Sequence, residues 1–205
     1  AIRLLISNVF SVDGKLHNTK NSLYRVQLRL GDDSFKKGII SQKNLEKLKS
    51  TLKSFKLLMD INDVKKYLAY ATSAMRCING SEKLIKSLEK ETGIKVQIIT
   101  GKKESEIVAK NDITPHIGKT KNYCFIDVGG GSTEVVLYKK AKFYKSKSFK
   151  IGGVRLINGL VEETTWKEFK LWLKTNAEEL KRLKIIGIGG NINKLYKLSG
   201  TKYTK

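Results

Sequence analysis

The chain has little of what builds disulfide scaffolds, zinc knots or membrane spans. Its 205 residues include one proline, two cysteines and two histidines. Cys77 and Cys124 lack metal-ligand spacing, and His17 and His116 lie far apart along the chain. That pattern argues against a disulfide framework and against a Cys/His zinc site, and a reducing cytoplasm is the expected compartment. No apolar run approaches the length of a membrane span, and the opening AIRLLISNVF is short and broken by Arg3. Neither a span nor a signal segment is expected, and the chain reads as soluble with no membrane association. The lone proline, Pro115, falls in the polar stretch NDITPHIGKTKN, where a domain boundary or hinge is expected.

Acidic residues are scarce as well. Lys and Arg number 41 against 19 Asp and Glu, a formal charge of +22. A polycation of this strength attracts polyanions such as nucleic acid, polyphosphate or highly phosphorylated nucleotides. The lysines are scattered over segments such as KKYL, KLKSTLKSFK and ELKRLK, which read equally well as ordinary solvated faces. Charge therefore speaks to partners and not to chemistry.

The remainder alternates between strand and helix patterns. IRLLISNVF and LYRVQLRL read as a hairpin with Asp13-Gly14 as its turn signal. Ser41 stands at a plausible N-cap, and Leu45, Leu48, Leu52 and Phe55 recur at helical spacing. LAYATSAM reads as a buried strand, SEKLIKSLEKET as a helix stopped by Gly93, VQIIT as a strand, and the chain turns helical again from Glu104 to Ala109. Past the proline the order restarts: NYCFIDVG, TEVVLYKK and KFYKSKSFKI as strands, TTWKEFKLWLKTNAEELKRL as an amphipathic helix, IIGIGG as a strand and NINKLYKLS as a helix. This repetition predicts two α/β domains of similar build, residues 1–115 and 120–205. STEVVLYKKAKFY then corresponds to the first residues of the chain, so the first domain is expected to lack an opening strand and glycine turn.

Between two of those strands sits DVGGGSTE, Asp127 to Glu134. Gly129, Gly130 and Gly131 can take positive φ and bring backbone N–H groups close to an anion, with Ser132 and Thr133 adding hydroxyl donors. Asp127 and Glu134 would repel phosphate unless a hard divalent cation such as Mg²⁺ stood between them. Phosphate and metal together account for every residue of the octet.

The octet resembles the second phosphate loop of the exopolyphosphatase and guanosine pentaphosphate phosphohydrolase family, within the acetate kinase, sugar kinase, Hsp70 and actin superfamily. YATSAMR followed by NG, ETGIKVQIITGKKESEI, IGGVRL and the late GIGGN resemble further landmarks of that family in the same order. The resemblance implies two ribonuclease H-like domains flanking a cleft, both incomplete in this chain, because members carry a first phosphate loop before the segment matching AIRLLIS and continue beyond GIGGN. It implies Glu104 as the base that positions water, with Glu106 the near alternative. Asp127 and Glu134 match metal-binding acids, Gly129, Gly130, Gly131 and Ser132 the phosphate cradle, and Arg76 an arginine beside the phosphate chain. Gly189, Gly190 and Asn191 resemble the late glycine turn of the second domain that closes the ligand cleft, and the resemblance implies them, with Thr133, as further phosphate-binding residues. The implied reaction is Mg²⁺-dependent removal of terminal phosphate from polyphosphate or guanosine pentaphosphate, in a protein that can form homodimers. A non-catalytic sensor of the same ligands is the alternative. A nucleic-acid binder using runs such as KFYKSKSFK ranks last.

Overall fold

A computed structural model describes residues 1–109, 118, 120–178, 180 and 182–200. The chain is α/β and separates into two compact units, Ala1–Ile98 and Ile99 onward. That division precedes the polar stretch read as the boundary. Pro115 itself, with its neighbours from 110 to 117, lies outside the described residues.

In the first unit, β1 (Ile2–Val12) and β2 (Lys15–Val26) form an antiparallel hairpin. Asp13 and Gly14 both have positive φ (49° and 72°), the backbone twist that two-residue hairpin turns require. The second strand begins earlier than LYRVQLRL suggests, because the polar run KLHNTKN pairs with β1 without being buried. It also ends earlier, since Leu30 opens a short helix, α1 (Leu30–Lys37).

Helix α2 (Gln42–Ile61) follows, with Leu48, Leu52, Phe55 and Met59 buried on one face. Ser41 occupies its N-cap but does not cap it by side chain; its hydroxyl and N–H donate to Asp33, as does the Asn44 amide. LAYATSAM supplies only the three-residue strand β3 (Ala69–Ala71), after which Ser73–Arg76 coil into a single helical turn, α3. Helix α4 (Ser81–Thr92) stops at Gly93, whose φ of 71° lets its N–H reach Glu89 O at 2.8 Å. Strand β4 (Val96–Ile98) pairs parallel to β3. Leu28, Leu48, Leu52, Phe55, Met59, Leu88 and Ile94 make the core of this unit.

The second unit opens with α5 (Gly101–Ala109) and is built on a four-stranded sheet. The strands are β5 (Asn122–Val128), β6 (Thr133–Lys139), β7 (Lys142–Phe149) and β8 (Leu183–Ile188), in the order β7-β6-β5-β8. Only β8 runs parallel to its neighbour. A one-turn helix α6 (Gly153–Ile157), the long α7 (Glu163–Ala177) and α8 (Gly190–Leu198) complete it.

Side chains alternate between the two faces of this sheet. Tyr123, Phe125, Val136 and Tyr138 share one face with Val108 and Ala109 of α5. Cys124, Val135, Leu137 and Phe149 share the other with Trp166, Phe169 and Trp172 of α7. By the same alternation Asp127 and Glu134, paired in register, stand on the α5 face.

Candidate active site

Helix α5 is started by Thr100, whose hydroxyl accepts the Lys103 N–H at 3.1 Å in the manner of an N-cap. Glu104 sits in its first turn and is half-buried. Glu106 lies further along the same helix. The helix is fixed to the sheet by Tyr138, whose hydroxyl donates to Ala109 O at 3.0 Å.

The glycine turn joins β5 to β6. Gly129 N–H donates to Ser132 O at 2.9 Å and closes it. None of Gly129, Gly130 and Gly131 takes positive φ, so the conformational reason for three glycines inferred from sequence does not hold. A Cβ at Gly129 would stand 3.1 Å from Ser132 O and one at Gly130 3.4 Å from the Val154 side chain, so the severe crowding is on the neighbouring glycine at 152. A Cβ at Gly152 would lie 2.5 Å from the Gly130 carbonyl and 2.6 Å from Gly131 N.

Helix α6 rests directly on the turn and takes its carbonyls in succession. Gly153 N–H donates to Gly129 O at 3.0 Å, Val154 N–H to Gly130 O at 2.8 Å and Arg155 Nε to Gly131 O at 2.9 Å. From α8, the Asn191 side-chain amide donates to Val128 O and Gly129 O at 2.8 and 3.1 Å. Thr133 Oγ1 donates to Ile151 O at 2.6 Å. With the carbonyls held on this side, the N–H groups of Gly130, Gly131 and Ser132 donate to no acceptor among the described residues. Oriented donors of this kind form an anion-binding concavity without any left-handed residue.

The acids meet beside the turn. Glu134 is 4% exposed and accepts from Ser148 Oγ at 2.8 Å. Burial, and then the negative charge of Glu104, raise its pKa above the ordinary glutamate range; Asp127 adds to the rise, while the Ser148 and Ser132 hydroxyls oppose it. Glu104 and Asp127 are thus each close enough to act on Glu134. Gly189 (φ 94°) is pressed against Asp127, since a Cβ there would stand 2.5 Å from Oδ1. The parallel pairing of β5 with β8, which sets Asp127 opposite Ile188, brings this late turn to the site.

Glu104, Asp127, Gly129, Gly130, Gly131, Ser132, Thr133, Glu134, Gly189, Gly190 and Asn191 therefore all belong to the second unit. Arg76 belongs to the first, at the end of α3, with its N–H on Thr72 O at 3.1 Å. Sequence reasoning missed Gly152, Arg155 and Ser148 as parts of the site. Only the glycine pair ahead of Arg155 and the alternation of lysine and serine in β7 could have signalled them.

Comparison with known proteins identifies the family. Residues 11–188 match the Ppx/GppA phosphatase family. A bifunctional 3-dehydroquinate synthase/phosphatase from Fusobacterium nucleatum is 31% identical over 92% of this chain and 31% of its own length. Exopolyphosphatase 1 of Mycobacterium tuberculosis is 31% identical over 58% of this chain and 35% of its own. The chain thus spans about a third of the length of these curated relatives. Among solved structures, the Ppx/GppA family member of Aquifex aeolicus superposes with a TM-score of 0.68 at 28% identity, covering 96% of this chain and 65% of that one. An exopolyphosphatase from Cytophaga hutchinsonii gives 0.71 at 26% identity with the same coverage. With its fold, its glycine turn and its acids placed as described, the chain belongs to the Ppx/GppA phosphatase family.

Proposed function

We propose that the protein containing this chain hydrolyses the terminal phosphoanhydride bond of polyphosphate or of guanosine pentaphosphate, in the cytoplasm, with Mg²⁺ as cofactor. The observation that carries this reading is the meeting of donor and acceptor groups at one turn. Undonated amides at Gly130, Gly131 and Ser132 lie next to Asp127 and Glu134, within the electrostatic reach of Glu104.

Phosphoryl transfer needs the terminal phosphorus held, its developing charge neutralised and a water aligned opposite the leaving group. The amides hold the phosphate oxygens. Glu104 orients the water and takes its proton, with Glu106 as the near alternative. Arg76 is assigned to the phosphate chain. Gly189, Gly190 and Asn191 close the site by fixing the turn.

The donor set suits a hard cation, since Asp127 and Glu134 offer only oxygen. Among the described residues no cluster of three His, Cys, Asp or Glu forms a ready-made metal cage. Magnesium commonly takes one or two carboxylates and completes its shell with water and phosphate oxygens, which two acids satisfy. When bound it would neutralise charge on the phosphate oxygens. Among the described residues no helix is long and apolar enough to cross a membrane. A homodimer is part of the proposal.

The test is phosphate release by the complete protein from polyphosphate and guanosine pentaphosphate in parallel, with and without Mg²⁺. Glu104→Ala should lower turnover by roughly 10²–10⁴-fold. Wild-type turnover in that variant would pass the role to Glu106 or remove it. Tight polyphosphate binding without any phosphate release would assign a sensor instead.

A further inference from the structure

Strand β7 carries Lys145-Ser146-Lys147-Ser148, and the strand period sorts the four residues onto two faces. The lysines point to α7, where Lys145 Nζ donates to Asn176 Oδ1 at 2.6 Å and Lys147 pairs with Glu168 at 2.8 Å. The serines point to the face of α5 and the site acids. Ser148 stands opposite Glu134 in register and donates to its Oε1 at 2.8 Å. Ser146 Oγ donates to Ser105 Oγ at 3.1 Å, and Ser105 Oγ in turn donates to Lys102 O at 2.9 Å. Ser105 is 1% exposed.

Serine is a weak choice for packing at a strand position that faces a helix, where β-branched side chains serve better. Both serines are half-buried there, and both hydroxyls are satisfied by groups that belong to the site or adjoin it. Helix α5 is consequently tied at its start by Thr100, at its end by Tyr138, and in between by Ser146. The middle tie is next in sequence to Glu104.

We infer that Ser146 and Ser148 are positioning residues: Ser148 fixes the orientation of the Glu134 carboxylate, and Ser146, through Ser105, fixes the turn of α5 that presents Glu104. Neither touches the reacting atoms. The catalytic part of this inference rests on the hydrolase reading above; the placement of α5 does not.

The experiment uses the complete protein with Ser148→Ala, Ser148→Thr, Ser146→Ala, Ser105→Ala and the Ser105→Ala/Ser146→Ala double variant. Loss of a partner that orients a site ligand lowers activity by about 10–100-fold, and that loss is expected in kcat with KM unchanged for each alanine variant. Ser148→Thr, which keeps the hydroxyl, should recover most of it. The double variant should be no worse than Ser105→Ala, which already removes both the Ser146 bond and the bond to Lys102 O. Amide hydrogen exchange over residues 101–109 should quicken in Ser146→Ala and Ser105→Ala and stay unchanged in Ser148→Ala.

Unchanged kcat with unchanged exchange would overturn the inference, as would losses confined to KM or a threonine variant as impaired as the alanine one. A wild-type protein that releases no phosphate from either substrate would defeat the hydrolase reading instead. The exchange data would then still decide whether Ser146 holds α5.

Discussion

At the scale of single residues, space rather than torsion explains the glycine at 152. Its φ of −155° is open to any residue, but an added methyl would collide with the backbone of Gly130 and Gly131. Gly152→Ala should therefore destabilise the protein by about 1–3 kcal/mol, read from urea unfolding, and should loosen the phosphate turn. Glu134 makes a different kind of prediction. Its folded pKa lies above the ordinary value of about 4.3, so the folded state binds its proton more tightly than the unfolded chain does. Stability from this group is complete below the ordinary value and is lost as pH rises through the raised one. Glu134→Gln should thus gain on the wild type as pH climbs from about 4.3 and level off above the folded pKa. Thermal unfolding across that range in EDTA checks it, and a pH-independent difference would count against it. The candidate residues readable from the chain's own chemistry were those packed into one octet, Asp127 to Glu134, because a strand end, glycines and acids are contiguous there; Glu104, Arg76 and Gly189 to Asn191 came only from the family resemblance. Ser148 and Arg155 were not legible, since each reaches the turn only through sheet register or the docking of α6.

At the scale of elements, legibility followed length and periodicity. Helices α2, α4 and α7 repeat apolar residues at helical spacing over several turns, and each was anticipated; α4 matches its expected span, whereas the segment read as α7 ran on to Leu183 and the helix stops at Ala177. The short α1, α3 and α6 carry no such period, and α3 was read as the end of a strand because LAYATSAM holds no glycine, proline or charge to mark a break after Ala71. The outer half of the β1–β2 hairpin was blurred for the opposite reason. Pairing along the backbone holds KLHNTKN, so no alternation of burial marks it. Packing energy in the first unit concentrates where α4 meets α2. Leu88 is 1% exposed, and Leu88→Ala should cost about 2–5 kcal/mol in denaturant unfolding, far more than Leu57→Ala on the solvent face of α2.

For the whole molecule, repetition of strand, helix, strand and helix suggested two domains of similar build, and the chain separates into two compact units at Ile98/Ile99. The point of division was harder to place. Helix α5 belongs with the second unit through its packing on β6 and β7, and nothing in its own composition says so. The formal charge of +22 acts at this scale too. Affinity for long polyphosphate should fall by at least ~10-fold between about 0.05 and 0.2 M salt, while kcat at saturation stays constant, as steady-state titrations at several ionic strengths would reveal. An affinity indifferent to salt would confine recognition to the glycine turn. The lysines of β7 have a further consequence for how copies of the protein share a solution. Strand β7 lies at the margin of its sheet, with one side of its backbone unpaired by any other strand of that sheet. Cations repeated along such a margin repel an identical neighbour before it can add as a fifth ribbon, so neutralising Lys145 and Lys147 would open this edge to pairing with further copies of the strand.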